Sequence, residues 1–535
     1  MFEPALLDQN ITLLKQWKGY QQAKHLTDTL KSLKSKQSTL NSIQKNERSY
    51  NLVLSHLQKY LSTFLNDYSS KTRIKPKHLD NFTVLESKLK IVLELLDLAQ
   101  TVPENDLCCQ DKSSPRWSRI NSVVTTVTPK NKEKLKRQYK DFIQLIILSQ
   151  AFVSTGLQES SKFKRNLMVG LSAMYYFFNR KKADHQKSLS YATCDPQVAR
   201  TTWNLMDSWI CSKAMNIVLA PVEENLVIYI PRTAPHVLTG KSIEVSAEFS
   251  LTYKEGYIPV RLLHSSLLVS EQKENNAGMC CGPREKKGKR PSSVIFHIHG
   301  GGFISMSSNS HQVYTRRWVQ DLKVPVFSVD YRLAPKNAFP DGLDNVWQAY
   351  FWLVHNSGSL NMKIKKILVT GDSAGGNLAL GVTNKAILEG IKKPDGLVLV
   401  YPALYLHDKA FKDSLMLCLE DNVMPYSFMK LCKELYVQDS EFDCGTNFWI
   451  SPLVAGDELI RQLPRVRIVF GEDDPLVDYS FWFIERLLDN EVDVKGSLFE
   501  ETPHGALNFY VTGGVKKARK FYEATLGYFS ELISR

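Results

Sequence analysis

Four short segments carry residue types that could together attack a carbonyl carbon. Gly371–Gly375 reads GDSAG and fits G-x-S-x-G around Ser373. KKILVT before it is strand-like, and Gly376–Asn377–Leu378–Ala379 opens a helix. That setting predicts a sharp strand–turn–helix corner that strains the backbone and lifts the Ser373 hydroxyl above a sheet. Gly371 and Gly375 are then required, because side chains there would collide with the neighbouring strand and helix. The plainer reading of the motif alone is an ordinary turn with a capping serine.

Upstream, His299–Phe303 reads HGGGF directly after the apolar run Val294–Ile298. Consecutive glycines let a backbone turn several amides toward one point. The Gly301, Gly302 and Ala374 amides form an expected oxyanion hole, with donors about 2.7–3.1 Å from the developing negative oxygen. The start of the helix after Ser373 adds a favourable dipole. His297 and His299 could suggest a metal. A His-x-His on a buried strand with no further ligand cluster reads instead as structural, with His299 and Gly300 supporting the loop. Gly371, Asp372 and Gly375 support the serine in the same way. This chemistry requires no metal and no organic cofactor.

The expected chain order is serine, carboxylate, histidine. Gly471–Asp478 reads GEDDPLVD after the strand-like Val466–Phe470. Asp474 is the chosen acid, with Pro475 fixing the turn behind it. Asp473 is the alternative, Asp478 reads as a capping or supporting residue, and Glu472 reads as solvated. His504, in TPHG after Val494–Phe499, is the one histidine beyond His407 and the expected base. A surface-loop histidine is its plainer reading.

These residues need a scaffold that brings distant segments together. From Val294 onward, short β-branched runs alternate with helical sequence: Val294–Ile298, Val324–Val329, Lys366–Thr370, Gly396–Val400, Val466–Phe470 and Val494–Phe499 as strands. Helices are expected at Asn309–Leu322, Asp344–His355 and Gly376–Glu389 between them. This pattern predicts a mainly parallel sheet covered on both faces, with chemistry at the carboxyl ends of its strands. Asn225–Ile230, Val245–Tyr253 and Ile258–Leu268 read as earlier, antiparallel strands. Residues 1–215 read as a helical domain, with apolar stripes such as Ile11, Leu14, Trp17 and Leu85, Leu89, Val92, Leu96. Residues 216–535 form the expected catalytic domain, interrupted by a basic surface loop at 273–293.

Hydrophobic residues make up 43% of the chain, enough for a large core without staples. The net charge of +13 gathers in runs such as Lys130–Lys140, Lys162–Arg165, Arg180–Lys182 and Arg284–Arg290. Solvated faces are the bland reading of these runs, and attraction to an anionic lipid surface is the sharper one. No nucleic-acid-binding module is recognisable. Nine cysteines without metal-ligand spacing, and no leader-like start, fit a reducing cytosol. No apolar run is long enough to span a bilayer.

HGGGF, DYRLAP (Asp330–Pro335), GDSAGGNL, DPL (Asp474–Leu476) and PHG together resemble the hormone-sensitive lipase family of α/β-hydrolases, the GDXG lipolytic enzymes. Leu167–Met215, with SAMYYFFNR and TTWNLMDSW, resembles the family's N-terminal helical domain. Pro259–His264 and Ser451–Ala455 join the match, which covers about residues 85–530. The resemblance implies an α/β-hydrolase fold preceded by a helical domain. It implies hydrolysis of diacylglycerol, triacylglycerol, cholesteryl or related lipid esters, in the cytoplasm and at lipid droplets. It assigns Ser373, Asp474, His504 and the three amides the same roles, and makes Asp330–Pro335 a brace for the glycine loop. Expected partners are a lipid ester substrate, a lipid droplet or membrane met peripherally, and a second copy of the chain in a homodimer; nucleic acid is not among them. Ala403–Ile450 is too short for the serine-rich regulatory insert of vertebrate relatives, so phosphorylation control there is not expected. A carboxylesterase or deacetylase for small soluble esters is the alternative activity. A binding protein on an inactive hydrolase fold is the alternative from another class, and the complete Ser–Asp–His set argues against it.

Overall fold

Buried strands alternating with amphipathic helices build a nine-stranded sheet in the computed structural model of the chain. The structure describes residues 5–17, 20–36, 48–71, 74–99, 115–129, 131–193, 195–207, 219–234, 237–238, 246–266, 290–407, 414–415, 419, 421–509 and 518–535. Most of the expected basic loop at 273–293, and the pairs Cys108–Cys109 and Cys280–Cys281, lie outside the described residues.

The N-terminal stretch holds α1 (Ala5–Leu14), α2 (Gln21–Ser35), α3 (Arg48–Tyr68), α4 (Pro76–Ala99), α5 (Pro115–Val123), β1 (Val124–Val127), α6 (Lys132–Leu157), α7 (Lys162–Phe178), α8 (Arg180–Thr193) and α9 (Pro196–Trp203). The later chain supplies β2 (Glu224–Pro231), β3 (Tyr257–His264), β4 (Ser293–Ile298), α10 (Gln312–Leu322), β5 (Val326–Val329), α11 (Asp341–Asn356), β6 (Lys366–Asp372), α12 (Ala374–Leu388) and β7 (Gly396–Val400). It closes with α13 (Tyr426–Tyr436), α14 (Asp457–Ile460), β8 (Arg465–Asp473), α15 (Val477–Asp489), β9 (Val494–Pro503) and α16 (Ala518–Ser534).

The chain divides into two compact units. The first comprises Met1–Cys108, Ile143–Thr202 and Asp408–Leu431. Its main core joins Leu14, Trp17, Leu30, Leu61, Phe82 and Leu89, so the helical stripes read from sequence are indeed buried. The second comprises Cys109–Phe142, Trp203–His407 and Cys432–Arg535, and it contains the whole sheet. The division is therefore not a single cut near residue 215. Composition misses this because β1, inside a helix-rich stretch, pairs in parallel with β9 from Val124↔Gly496 to Val127↔Phe499.

The strand order is β1-β9-β8-β7-β6-β4-β5-β3-β2, parallel from β1 through β5. β3 runs antiparallel to both β5 and β2. The third early strand expected at Val245–Tyr253 does not form over its described part. Only Ser250 bridges to Tyr229, and the Ser250 hydroxyl then bonds to Thr252, folding the chain away from the ladder.

Register positions the chemistry. Ile298 at the end of β4 pairs with Gly371 near the end of β6, which brings the HGGG loop beside Ser373. Asp473 at the end of β8 pairs with Pro503 at the end of β9, which brings Asp474 beside His504. Residues 299, 373, 474 and 504 each directly follow the last residue of a strand. Four distant segments thus meet at one carboxyl edge of the sheet.

Candidate active site

Ser373 adopts φ 55°, ψ −120°, between β6 and α12. Such a backbone costs about 1–3 kcal/mol at a non-glycine residue and persists only where its surroundings enforce it. Here the Ser373 N–H donates to Val400 O at 3.0 Å, and the Ser373 carbonyl accepts from Gly376 and Ala403, each at 3.0 Å. The flanking glycines are a steric necessity. A Cβ on Gly371 would lie 2.3 Å from the Gly375 carbonyl, and one on Gly375 would lie 2.1 Å from Ile298 O.

The Ser373 hydroxyl lies 3.0 Å from His504 Nε2, and His504 Nδ1 lies 2.8 Å from Asp474 Oδ2. All three residues are buried. Asp474 Oδ1 accepts the Leu476 N–H at 2.8 Å, which fixes the carboxylate plane. Acceptance by Asp474 assigns the proton to Nδ1 and makes Nε2 the acceptor of the Ser373 hydroxyl. Tyr401, the first residue after β7, packs its ring 4.7 Å from the imidazole. Of the competing carboxylates, Asp473 is an exposed last residue of β8, and Asp478 sits buried in the first turn of α15. Glu472 is not free in solvent as expected: its carboxylate accepts the Glu501 N–H at 3.2 Å.

The glycine loop is fixed by equally close packing. Gly301 has φ 108°, and a Cβ there would lie 2.2 Å from Ser305 O. The backbone N–H groups of Gly301, Gly302 and Ala374 have no protein acceptor among the described residues. Phe303 stacks on Tyr436 at 3.9 Å, and its carbonyl accepts the Ala334 N–H at 3.0 Å. The Tyr331 hydroxyl donates to His299 O at 3.1 Å, and its ring stacks on His299 at 4.3 Å. Asp330 accepts from the Ser308 N–H and hydroxyl at 2.6 and 2.8 Å. Asp330–Pro335 therefore braces the loop.

Beneath the loop lies a buried polar network that the sequence reading missed. Asp372 Oδ1 accepts from Gly300 N–H at 2.9 Å and from the Tyr314 hydroxyl at 3.0 Å, and it pairs with His311 Nε2 at 3.3 Å. Burial alone would raise the Asp372 carboxyl, but the His311 charge and the bonds from His311 and Tyr314 outweigh it and hold the carboxyl well below the usual carboxylate range. Burial works against charge on His311 too, yet Asp372 raises that imidazole above its ordinary value. His297 bonds to Ser328 at 2.7 Å and Tyr314 at 2.9 Å, and burial holds it well below its ordinary value. Burial, then the neighbouring His311, lowers His299 to about 4, and its Nδ1 donates to Gly300 O at 2.7 Å. Both are neutral at pH 7: His299 holds the glycine loop, and His297 ties β4 to β5 and α10. Among the described residues no group of three or more His, Cys, Asp or Glu side chains could hold a metal. The available signal for the network was the His311–Tyr314 spacing of three, which puts both on one helix face.

The arrangement can transfer an acyl group: a hydroxyl in hydrogen-bond contact with an accepting imidazole nitrogen, an oriented carboxylate, and unengaged amides next to the hydroxyl. Residues 295–508 match a family model described as the alpha/beta hydrolase fold. The chain is 31% identical to hormone-sensitive lipase of Mus musculus over 251 residues, 44% of this chain and 32% of that protein. It is 30% identical to an arylesterase of Saccharolobus solfataricus over 203 residues, 38% of this chain and 64% of that protein. The chain thus spans about a third of the length of the hormone-sensitive lipase it matches. Its fold is similar to that of a thermostable carboxylesterase cloned from a metagenomic library, at TM-score 0.50 and 24% identity, covering 63% of this chain and 98% of that one. The nine-stranded, mostly parallel sheet with its strained serine corner and the match over residues 295–508 give this chain the α/β-hydrolase fold, and over 44% of its length it is similar in sequence to hormone-sensitive lipase.

Proposed function

We propose that the chain is a carboxylic ester hydrolase that cleaves lipid esters, such as acylglycerols or cholesteryl esters, through an acyl-serine intermediate. The observation that carries this reading is the Ser373–His504–Asp474 relay, with contacts of 3.0 and 2.8 Å, at a strained serine. His504 Nε2 takes the Ser373 proton as Oγ attacks the ester carbonyl. Negative charge gathers on the carbonyl oxygen, where the Gly301, Gly302 and Ala374 amides receive it. His504, now protonated and stabilised by Asp474, gives its proton to the leaving alcohol. Water activated by the same nitrogen then cleaves the acyl-enzyme and regenerates Ser373. Asp372, through its bond to Gly300, keeps the loop beside the serine.

The lipid substrate class is supported by the likeness to hormone-sensitive lipase. A second reading, hydrolysis of small soluble esters, is favoured by the likeness to an arylesterase and to an ethyl acetate hydrolase of Pseudomonas putida. Emulsified diacylglycerol and a short-chain nitrophenyl ester, each offered to wild type and Ser373→Ala, separate the two. Turnover of both by wild type, higher on the emulsion, supports the lipid reading. Turnover of the nitrophenyl ester alone supports the soluble one. Equal turnover by Ser373→Ala refutes both.

A further inference from the structure

Helix α7 presents an inverted face. Seven of the twelve exposed large hydrophobic residues among the described residues lie on this single 17-residue helix. Phe163, Leu167, Leu171, Met174, Phe177 and Phe178 share an outward arc of about 120° at 3.6 residues per turn. Phe163 is 78% exposed, Met174 67% and Phe178 79%, so these are not partly covered edges. Isolated exposed apolar residues need no explanation, but a contiguous row does.

The helix is not loosely seated. Its opposite side is anchored on α6 and on its own backbone. Tyr176 is buried with Ile147, Leu148 and Ala151, and its hydroxyl lies 3.0 Å from Thr155 Oγ1. Ser172 is buried, and its hydroxyl donates to Met168 O at 2.5 Å. Gly156 lets Val169 approach closely: a Cβ there would lie 2.3 Å from Val169 Cγ2. Rotating α7 to hide its phenylalanines would expose Tyr176 and break this seating.

Charge indicates what covers the outer face. Between Glu159 and Asp184 the chain carries six Lys or Arg and no acidic residue. Lys164, on the exposed side of α7, and Arg180, Lys181 and Lys182, at the start of α8, are exposed. Lys182 also bonds to the Tyr175 hydroxyl, which ties the basic cluster to the aromatic face. An apolar, aromatic-rich helix face flanked by cations matches the acyl–headgroup boundary of an anionic bilayer. No described helix is long and apolar enough to cross a membrane, so the contact is in the plane of the surface.

We propose that α7, with the basic start of α8, is a docking surface for anionic lipid, lying flat with its phenylalanines among the acyl chains. This deepens the lipid-ester reading but is measured separately from it, because binding needs no turnover.

The test is flotation of the full chain with phosphatidylcholine vesicles, with and without phosphatidylserine. Wild type is expected to float, more strongly with phosphatidylserine, and less as salt is raised. Phe163→Ser/Phe178→Ser is expected to lower partitioning at least about tenfold on both vesicles. Arg180→Glu/Lys181→Glu is expected to lower it at least about 25-fold on phosphatidylserine vesicles alone, near fivefold per cation. Both variants should keep the wild-type circular dichroism, melting temperature and hydrolysis of a soluble short-chain ester. Wild type that does not float, or equal flotation of all three proteins, overturns the proposal. So does a wild-type dimer in sedimentation velocity that Phe163→Ser/Phe178→Ser dissociates, since a second copy then covers the face. Flotation without ester hydrolysis would retain this surface and refute the enzyme reading; hydrolysis without flotation would do the reverse.

Discussion

At the carboxyl edge of the sheet Asp372, His311, Asp474 and His504 are buried, whereas on α7 Phe163 and Phe178 stand in water. Each region reverses the usual distribution, and each reversal has a different cost. A buried charge is tolerated only when paired, and Asp372 meets His311, Tyr314 and a backbone N–H. An exposed phenylalanine loses burial energy but strains nothing, so the fold does not depend on it. Substitutions should therefore damage the first region severely and the second hardly at all, in stability and in rate.

The largest effect is expected at Ser373. Ser373→Ala should lower kcat on any accepted ester by about 10⁵–10⁶ while the protein stays folded. Asp474→Asn should cost about 10⁴ in kcat, because the amide no longer holds the productive tautomer of His504. Steady-state kinetics with circular dichroism check both. Loss of structure in either variant would mean that these residues hold the fold rather than the chemistry.

Asp372→Asn comes next, with an expected loss of about 3–5 kcal/mol in unfolding free energy from a broken buried pair. Its pH dependence follows from two opposite shifts. The Asp372 carboxyl is held down, so its contribution is present above the ordinary carboxylate value of 3.8 and fades as pH falls through the depressed value. His311 is held up, so its contribution is complete below 6.5 and fades as pH rises through the raised value. The gap in denaturant midpoint between wild type and Asp372→Asn should be widest from about pH 4 to 6.5 and narrow toward alkaline pH. A gap that widens there would contradict the pairing.

Gly301→Ala should reduce kcat by about 10²–10³, because the added Cβ meets the Ser305 carbonyl and turns an amide away. The smallest effect belongs to the other region. Phe163→Ser should change unfolding free energy by no more than about 0.5 kcal/mol. A larger loss would show that the chain itself covers this face.

Much of the catalytic edge was legible in the sequence because each candidate residue follows a strand with a strong apolar signature, such as KILVT before Ser373 or VRIVF before Asp474. Gly396–Val400 was read to the residue, and most other strands grew by one to four residues at an end, where register with a neighbour rather than residue type decides. β1 was not legible, since VTTV becomes a strand only by joining the edge of β9. Nor was the pairing of His311 and Tyr314 with Asp372, which depends on how α10 packs on the sheet. The outward face of α7 was equally hidden. A stripe of apolar residues reports amphipathicity, and the same stripe can face a core, as Leu89 and Val92 do, or solvent, as Leu167 and Leu171 do.

Labelling with a fluorophosphonate, followed by peptide mapping, tests the proposed nucleophile most directly. One label per chain is expected on the peptide carrying Ser373, absent in Ser373→Ala and strongly slowed in His504→Ala. Folded wild-type protein that takes up no label, or that takes it up at another serine, would contradict it.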